Sequence, residues 1–589
     1  MYLKQLHVIG FRAFQDTTLN FRQGLNILIG ENNTGKTAVI DAIRLCLSVA
    51  AERREVFLTS DDFHLDDSGK RCSQLEFHLC FSGITPREQG IFVEMLSLAT
   101  PATPELQFHM RVTIDSATDR VHRDCWGGEK EHQAVPQEVL EQLYFLHLGA
   151  LRDAGRDLSP SRGNQLSRLF VKLVPDDAKQ SQYAKQISDQ IKSLAEWQTL
   201  LQNGKHKINE HLDKLSLQSL PQTVDITFVD AEFRRIVEGL KIRVQKPAPL
   251  STVPPPTPVQ SPQSDALQIS QNGLGYNNLI YIATVLGDLR QRRQREPDSY
   301  IALLIEEPEA HLHPQLQDVL FRYLTEIKSD AVQVFITSHS PTITAKTHIE
   351  SLIILSRFGD QILSTSLGDV DLSKPNKDHL HRFLDVTKSQ LFFANGVILV
   401  EGISEALLLP ELALLVGKKY DLDRNGIEVV NIDGVAFEPF AKLFNADKPE
   451  TRLGVRCAVI TDDDSHTTSD GAPSNRAANA RSLQGGLLKP FLARLTFEYE
   501  LYLSNSTSVL AAYKELHPKM DLSFTGTAEE QARSFVEKLN SVDDKADLAQ
   551  LLAGNIAAGQ IPSFSVPQYI QDAIKWIVDG TDPSAKSSS

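Results

Sequence analysis

Residues 25–47 read LNILIGENNTGKTAVIDAIRLCL, a sequence typical of a strand, a glycine-rich loop and a helix in succession. It opens with a mostly apolar run typical of a buried strand, and TAVIDAIRLCL has the apolar spacing of a helix. Between them, GENNTGKT at residues 30–37 matches GxxxxGK(S/T), a glycine-rich loop that binds phosphates. The order strand, loop, helix lets backbone N–H groups at a helix N-terminus surround a phosphate.

This loop predicts a site for ATP and Mg²⁺. Lys36 would reach the β- and γ-phosphates, and Thr37 would hold the metal. The remaining residues of the cradle are Gly30, Asn33 and Gly35.

Acidic residues for this site are expected at the end of a neighbouring strand, and IALLIEEPEAHLHP at residues 301–314 provides them. Glu306 would lie in the Mg²⁺ shell, and Glu307 would polarise the attacking water as general base. Paired acids also cap helices, but capping does not explain the apolar strand before them. VFITSHSP places His339 at the end of a further strand.

A second acidic constellation follows two later strands. GVILVEGISEALLL carries Glu401 and Glu405, and CAVITDDDSH carries Asp462, Asp463 and Asp464. Because the ends of parallel strands meet at one edge of a sheet, these carboxylates predict an oxygen-only site for Mg²⁺ or Mn²⁺. The alternative is a solvated acidic helix start plus an acidic turn.

The overall composition restricts the class of protein. The 589 residues are enough for several domains, and 41% hydrophobic with 23% charged residues is typical of a soluble globular protein. The net charge of −15 gives no global attraction to nucleic acid, so DNA would be held by local basic patches or through bound metal. The five cysteines contain no CxxC pair. With no signal peptide or membrane-length apolar run, we expect a cytoplasmic protein with no membrane contact.

Between the two sites the pattern changes. Residues 164–220 have helical periodicity, interrupted at NGK (203–205), which predicts a helical hairpin. This hairpin could be a core-facing stripe or an inserted dimerisation element. Residues 245–264 are proline-rich and predict a loop, and a helical tail is expected over roughly 505–579. The basic run RQRRQR at 290–295 is compatible with contacts to phosphates and with a solvated helix end.

FR at residues 11–12, the phosphate loop, EEPEAHLHP and the strand ending in His339 together resemble the ABC-type ATPases of the SMC and recombination-repair kind. The resemblance implies that His339 senses the γ-phosphate and that a signature loop lies in ISQNGLGYNNLIYIA. Its candidate residues are Ser270, Gly273 and Gly275. It also implies ATP sandwiched between two heads, hence a homodimer or higher homo-oligomer.

The second constellation resembles the Toprim domain, and the order of the two domains resembles the OLD (overcoming lysogenization defect) nucleases. This resemblance implies that LTFEYEL at 495–501 supplies Glu498 and Thr496 as ligands of a second metal. It also implies that Lys545 of KADLAQLLA, where alanine and leucine stand at the family's glycine and aromatic positions, neutralises charge on the phosphate during two-metal hydrolysis. Glu401, Asp462, Asp464 and Lys545 would then form the catalytic set.

The predicted fold class is α/β: an N-terminal ABC/SMC-like P-loop ATPase head with an inserted helical dimerisation element, then a C-terminal Rossmann-like Toprim domain with a helical extension. The predicted boundaries are 1–160 and 223–388 for the two ATPase parts, 161–222 for the insertion and 389–589 for the Toprim domain.

The implied activity is ATPase and metal-dependent DNA endonuclease in antiviral defence, with DNA as partner. A helicase-like protein, or a reverse transcriptase with its nucleic acid, is a possible further partner by analogy. The alternative is an SMC-like, ATP-driven DNA clamp whose acidic site is not a nuclease or needs a partner for activation. A topoisomerase tyrosine domain and primase zinc cysteines are not apparent in the sequence.

Overall fold

The computed structural model describes the chain except for residues 50–55, 67, 99–102, 116–119, 151–157, 175, 216–222, 228–230, 246–265, 311, 327–331, 360, 385–387, 435, 464–474, 562 and 582–589. The strands are β1 (Tyr2–Phe11), β2 (Phe14–Asn20), β3 (Leu25–Gly30), β4 (Gln74–Ser82), β5 (Leu96–Ser97), β6 (Glu105–Asp115), β7 (Arg120–Gly127), β8 (Leu143–Leu148), β9 (Arg243–Gln245), β10 (Ala266–Gln268), β11 (Tyr300–Glu306), β12 (Gln333–Ser338), β13 (Leu352–Phe358), β14 (Gln361–Ser366), β15 (Gly396–Val400), β16 (Ile427–Asn431), β17 (Arg456–Asp462) and β18 (Leu488–Ala493).

The α-helices are α1 (Lys36–Leu47), α2 (Pro86–Ile91), α3 (Gln137–Leu140), α4 (Gln165–Leu173), α5 (Asp177–Ser193), α6 (Ala195–Leu215), α7 (Phe233–Glu238), α8 (Leu274–Arg295), α9 (Pro314–Glu326), α10 (Pro341–Lys346), α11 (Lys374–Phe383), α12 (Ile403–Val416), α13 (Glu438–Ala441), α14 (Asn475–Ser482), α15 (Phe497–Leu516), α16 (Ala528–Val542), α17 (Lys545–Ala557) and α18 (Gln568–Asp579). The chain divides into two compact units. The first comprises residues 1–148, 302–309 and 314–589, and the second 149–301 and 310–313.

The first unit contains a sheet in the order β14-β13-β3-β12-β11-β8. Strands β13, β3, β12 and β11 run parallel, and β14 pairs antiparallel with β13. All residues of β3, β11 and β12 are buried, as expected of a parallel sheet covered on both faces. The predicted strands around residues 25, 301, 332 and 352 are thereby confirmed, and their carboxyl ends carry the phosphate loop, Glu306 and His339.

A separate antiparallel sheet has the order β2-β1-β4-β6-β5, with β7 paired to β6. Strand β4 alternates buried and more exposed positions along its length, the pattern of a sheet with one face on the core and one towards water.

The C-terminal part of the first unit is built on a four-stranded parallel sheet in the order β16-β15-β17-β18. One hydrophobic core joins this sheet to α12 and α15–α18. The predicted second α/β unit and its helical tail are confirmed, but helix α15 begins at Phe497, earlier than expected, because the Thr496 side chain accepts a hydrogen bond from the Tyr499 N–H and caps the helix there.

The second unit contains helices α4 to α8 and the small β9–β10 sheet. The helical region is confirmed, but the predicted break at NGK is wrong. Helix α5 ends at Ser193 and α6 runs through Gly204 without interruption. A glycine inside an exposed helix costs only about 1 kcal/mol, so it does not stop the helix. The predicted proline-rich loop lies almost entirely outside the described residues.

Candidate nucleotide and metal sites

The phosphate loop connects β3 directly to α1. Gly35 caps the helix with φ 88°, and a Cβ there would lie 2.6 Å from the ring of Phe14. Glycine is therefore required at this position. Asn33 also has a positive φ of 64°, a conformation that asparagine tolerates better than most residues. The backbone thus has the sharp turns that a phosphate cradle needs.

Lys36 is the buried cation of this loop. Its Nζ donates to the carbonyls of Gly30 at 2.8 Å and Glu31 at 2.5 Å. Burial lowers the pKa of Lys36 to about 8, although the nearby carboxylates of Glu307, Glu31 and Glu309 act in the opposite direction. A triphosphate would replace these carbonyl contacts with anionic oxygens and restore the full charge.

Glu306 and Thr37, the two residues predicted to hold Mg²⁺ beside the nucleotide, are brought together. The Thr37 hydroxyl is hydrogen-bonded to the Glu306 carboxylate, whose Oε1 also contacts His147 Nε2 at 2.7 Å. Burial alone would raise the pKa of Glu306, but the contacts with His147 and Thr37 hold it below its usual value. A carboxylate that stays ionised next to a hydroxyl is a suitable ligand pair for Mg²⁺.

Glu307 and His339 face each other across the ends of β11 and β12. The Glu307 carboxylate lies 3.7 Å from His339 Nε2, and Glu307 has a positive φ of 43°. Strain of this kind in a non-glycine residue is found mostly at functional sites. Burial, followed by the charge of Lys36, lowers the pKa of His339, which favours the neutral imidazole.

The candidate signature residues lie in the second unit and are described within it. Gly273 caps α8, and Gly275 lies in the first turn of that helix. Ser270 belongs to a short 3₁₀ turn, and its side chain is outside the described part of the structure. The predicted loop before a helix is confirmed, and its role at a nucleotide stays a prediction. The basic run at 290–295 forms the end of α8, where Arg292 pairs with Glu296 at 2.7 Å.

The acidic site, defined here as Glu401, Glu405, Asp462 and Glu498, starts at the carboxyl ends of two adjacent parallel strands. Val400 pairs with Ile460 in the sheet, so Glu401 reaches the end of β17. Its Oε1 accepts hydrogen bonds from the Thr461 hydroxyl and, at 3.1 Å, from the Asp462 backbone N–H. Asp462 Oδ1 in turn accepts from the Phe497 N–H at 2.9 Å. Backbone and hydroxyl donors therefore fix both acids.

Two helices complete the acidic site. Glu405, in the first turn of α12, and Glu498, in the first turn of α15, are both buried. Burial raises the pKa of Glu405 to about 7, with further contributions from the negative charges of Glu498 and Glu401.

Lys545 is the cation of this cluster. It begins α17, and its Nζ donates to Glu498 Oε2 at 3.3 Å. Burial acts to lower the pKa of Lys545, but the charges of Glu498, Asp462 and Glu405 outweigh it and raise the value. The predicted lysine is therefore placed beside the predicted acids.

The remaining acids of the DDD run behave differently. Asp463 turns away and pairs with Arg481 at 2.9 Å, and Asp464 lies outside the described residues. Thr496, expected as a ligand, caps α15. In the described part of the chain, no three His, Cys, Asp or Glu side chains converge as a ready-made metal cage. Carboxylates repel one another without a cation between them.

The donor set fits divalent metal. It is made of carboxylate oxygens, the ligands that Mg²⁺ and Mn²⁺ prefer. Burial is the main cause of the raised pKa of Glu405, and the negative charges of Glu498 and Glu401 add to it more than Lys545 offsets. Bound cations would relieve this excess of negative charge.

Sequence reasoning missed three contributors. His147 contacts Glu306, Thr461 contacts Glu401, and Glu309 Oε1 accepts hydrogen bonds from the Ser338 hydroxyl at 2.7 Å and the His339 N–H at 2.9 Å. Each lies at or just beyond a strand end that was predicted, in LYFLHL, CAVIT and EEPEA. Their places at these strand ends are a weak signal that could have identified them.

Comparisons with known proteins identify both domains. A family model described as AAA ATPase domain matches residues 1–209 and 157–344, together more than half of the chain. A second model, described as overcoming lysogenization defect protein-like, TOPRIM domain, matches residues 392–464.

An OLD nuclease from Thermus scotoductus is 25% identical over 444 residues, covering 74% of this chain and 78% of that protein. Endonuclease GajA from Bacillus cereus HuB5-5 is 21% identical over 708 residues, covering 98% and 99%. Among solved structures, the C-terminal region of the Burkholderia pseudomallei OLD protein is 26% identical with a TM-score of 0.24, covering 32% of this chain and 98% of that one.

The fold and the two sites define a P-loop ATPase joined to a TOPRIM domain. These domains imply a bound nucleotide and a divalent metal. The chain belongs to the AAA ATPase domain family, and its residues 392–464 match the OLD-like TOPRIM domain. No helix in the described ranges is long and apolar enough to span a membrane.

Proposed function

We propose that this protein is an ATP-hydrolysing, divalent-metal-dependent endonuclease that nicks or cleaves DNA in defence against phage. The observation that supports the proposal is the acidic site, in which four carboxylates and Lys545 lie near the end of the C-terminal sheet, close enough for their charges to act on one another. Relatives named OLD nuclease and endonuclease GajA support the same activity.

Glu401, Glu405, Asp462, Glu498 and, from the sequence, Asp464 would hold Mg²⁺ or Mn²⁺. Bound cations would supply the charge that activates water and stabilises the leaving oxygen. Thr461 holds Glu401 in place, and the Phe497 N–H does the same for Asp462. Lys545 would neutralise charge that develops on the phosphate.

The nucleotide site would control this chemistry. Lys36 and Thr37 would bind the triphosphate and its Mg²⁺ together with Glu306, and Glu307 would orient the attacking water while His339 senses the γ-phosphate. We propose that Ser270, Gly273 and Gly275 of one copy complete the site of another, so that the active species is a homodimer or larger. A helicase-like or reverse-transcriptase partner remains a prediction from the family resemblance.

The test is cleavage of supercoiled plasmid by purified protein with Mg²⁺ or Mn²⁺, with and without ATP. Asp462→Ala is expected to lower nicking at least 100-fold, while Asp463→Ala, the neighbouring acid that pairs with Arg481, serves as matched control. Lys36→Ala shows how nucleotide controls cleavage. Absence of cleavage with intact ATP turnover would instead favour an ATP-driven DNA clamp.

A further inference from the structure

Helix α18 lies against β17 and runs in the opposite direction. Arg456, the first residue of β17, donates from its guanidinium to the carbonyls of Ile577 and Val578 at 3.4 and 3.3 Å, in the last turn of the helix. A helix of this length spans roughly 18 Å and the strand roughly 20 Å. The first turn of α18 therefore lies at the far end of β17, where Asp462 is.

The segment that enters α18 is held by a kink in α15. Asn505 has non-helical backbone angles (φ −148°, ψ 40°) inside that helix. Its buried side-chain amide donates to the Ser565 carbonyl at 2.8 Å and accepts from the Ser565 N–H at 2.6 Å. Glu498 lies two turns earlier in the same helix. The two hydrogen bonds between Asn505 and Ser565 therefore fix Ser565, four residues before Tyr569, relative to the acidic site.

Tyr569 lies in the first turn of α18, the turn that this arrangement places near Asp462. Its ring packs against the C-terminal hydrophobic core and is half-buried. Within the described part of the chain, its hydroxyl makes no hydrogen bond.

Burial raises the pKa of Tyr569 well above its usual value, and the carboxylates of Asp462, Glu405, Glu500 and Glu498 add to the rise. Glu500 is already paired with Arg494 at 2.7 Å. A tyrosine hydroxyl has an ordinary pKa of about 10 and keeps its proton at neutral pH, so the phenol is available as a neutral hydrogen-bond donor.

We propose that Tyr569 is a further substrate-contacting residue of the acidic site, where its hydroxyl donates a hydrogen bond to a non-bridging oxygen of the DNA phosphate. The inference rests on the proposed nuclease function. A neutral donor suits this position because it binds an anionic oxygen without competing with metal for the carboxylates, as a second lysine would. No covalent bond to the tyrosine forms.

The test compares Tyr569→Phe with Tyr502→Phe in the plasmid-nicking assay. Phenylalanine keeps the packed ring and removes only the hydroxyl. Tyr502 belongs to the same core, and burial alone raises its pKa, so it is a matched control. Tyr569→Phe is expected to lower kcat/KM for nicking about 10- to 100-fold, as for loss of a hydrogen bond to a charged group. The metal concentration for half-maximal rate, ATP turnover and Tm should not change, and Tyr502→Phe should stay within about twofold of wild type.

Any other result contradicts the proposed role of Tyr569. Wild-type nicking by Tyr569→Phe would overturn the inference, as would a changed metal requirement, or a lowered Tm with joint loss of nicking and ATP turnover. An SDS-stable protein–DNA adduct that disappears in Tyr569→Phe would make the phenol a nucleophile and overturn its role as donor. Failure of the nuclease proposal looks different: wild type and Asp462→Ala would be equally inactive, and both ideas would fall together.

Discussion

Glu405 is a metal-ligand candidate whose ionisation the folded protein opposes. Its pKa of about 7, against an ordinary 4.5, results from burial and then from the charges of Glu498 and Glu401. Between pH values of about 4.5 and about 7, Glu405 is therefore protonated in the folded state and ionised in the unfolded chain. In the metal-free protein, this group makes the free energy of unfolding fall as pH rises from about 4.5 to about 7, by up to about 3 kcal/mol.

The same pKa predicts how metal binding depends on pH. Metal needs the ionised carboxylate, so the apparent affinity of nucleotide-free protein for Mn²⁺ should rise with pH, by at most about tenfold per unit, and level off near pH 7. Isothermal titration calorimetry from pH 5.5 to 8 measures this. Glu405→Gln should flatten the profile, while Glu428→Gln, which removes another glutamate of raised pKa in the same domain, should not. A flat wild-type profile would contradict the assignment.

The lowered pKa of Lys36 predicts that ATP binding takes up protons at high pH. Its pKa is lowered to about 8 chiefly by burial, and bound phosphates would raise it. ATP binding at pH 8 to 8.5 should therefore take up protons, whereas binding below pH 7 should take up few because the lysine is already charged. Calorimetry in two buffers of different ionisation enthalpy detects the uptake. Lys36→Arg, always protonated, is the control, and equal heats in both buffers at pH 8.5 would argue against it.

Residue positions were predictable where a strand pattern ended in a charged residue. Glu401, Asp462, Glu306 and His339 all followed apolar runs, and the structure places them at strand ends. Tyr569 could not be found in this way. Its position depends on the antiparallel packing of α18 along β17, a contact between elements more than 100 residues apart.

At the scale of elements, the start of α17 determines where Lys545 lies. Asp544 Oδ2 accepts hydrogen bonds from the Tyr513 hydroxyl at 3.1 Å and interacts with His517 Nε2 at 2.8 Å. Both partners lie at the end of α15. This network fixes the first turn of α17 against the helix that carries Glu498.

Asp544→Ala should therefore impair nicking without touching the acidic site. Loss of the network frees the first turn, so we expect nicking to fall about tenfold, with ATP turnover unchanged and the free energy of unfolding lowered by about 1–3 kcal/mol. Plasmid nicking and urea unfolding are the two measurements. Asp547→Asn, in the same helical turn, should change neither, and full activity in Asp544→Ala would show that the network does not position the lysine.

Helices and strands were predicted best where the apolar periodicity and the turn-forming residues indicated the same boundaries. Strand β8 runs over LYFLHL as expected, whereas the break between α5 and α6 falls at Leu194, not at NGK. Glycine at NGK suggested a turn, but the energetic cost of one glycine in an exposed helix is small, and periodicity alone does not show where two helices separate.

At the scale of the molecule, the ATPase sheet and the C-terminal sheet belong to one compact unit. The Thr365 hydroxyl donates to the Arg452 carbonyl at 2.6 Å, and the Gly454 N–H donates to the Ser356 hydroxyl at 3.1 Å. These contacts join β13 and β14 to the segment before β17. No motif marks these residues, so the sequence predicted two domains without indicating how closely they are joined.

The predicted pairing of two heads provides a test of the whole assembly. Glu307→Gln removes the proposed general base while leaving the phosphate loop intact, so ATP should bind without being hydrolysed and hold two copies together. In Mg²⁺ and ATP, light scattering after gel filtration should show this variant at twice the mass, or a higher multiple, of its nucleotide-free state. Adding Gly273→Asp places a negative charge where the signature loop would meet the phosphates, and should prevent the association because like charges repel. If the mass is independent of ATP, or if Gly273→Asp does not change it, the nucleotide does not join the heads. Control of the acidic site would then have to act within a single chain.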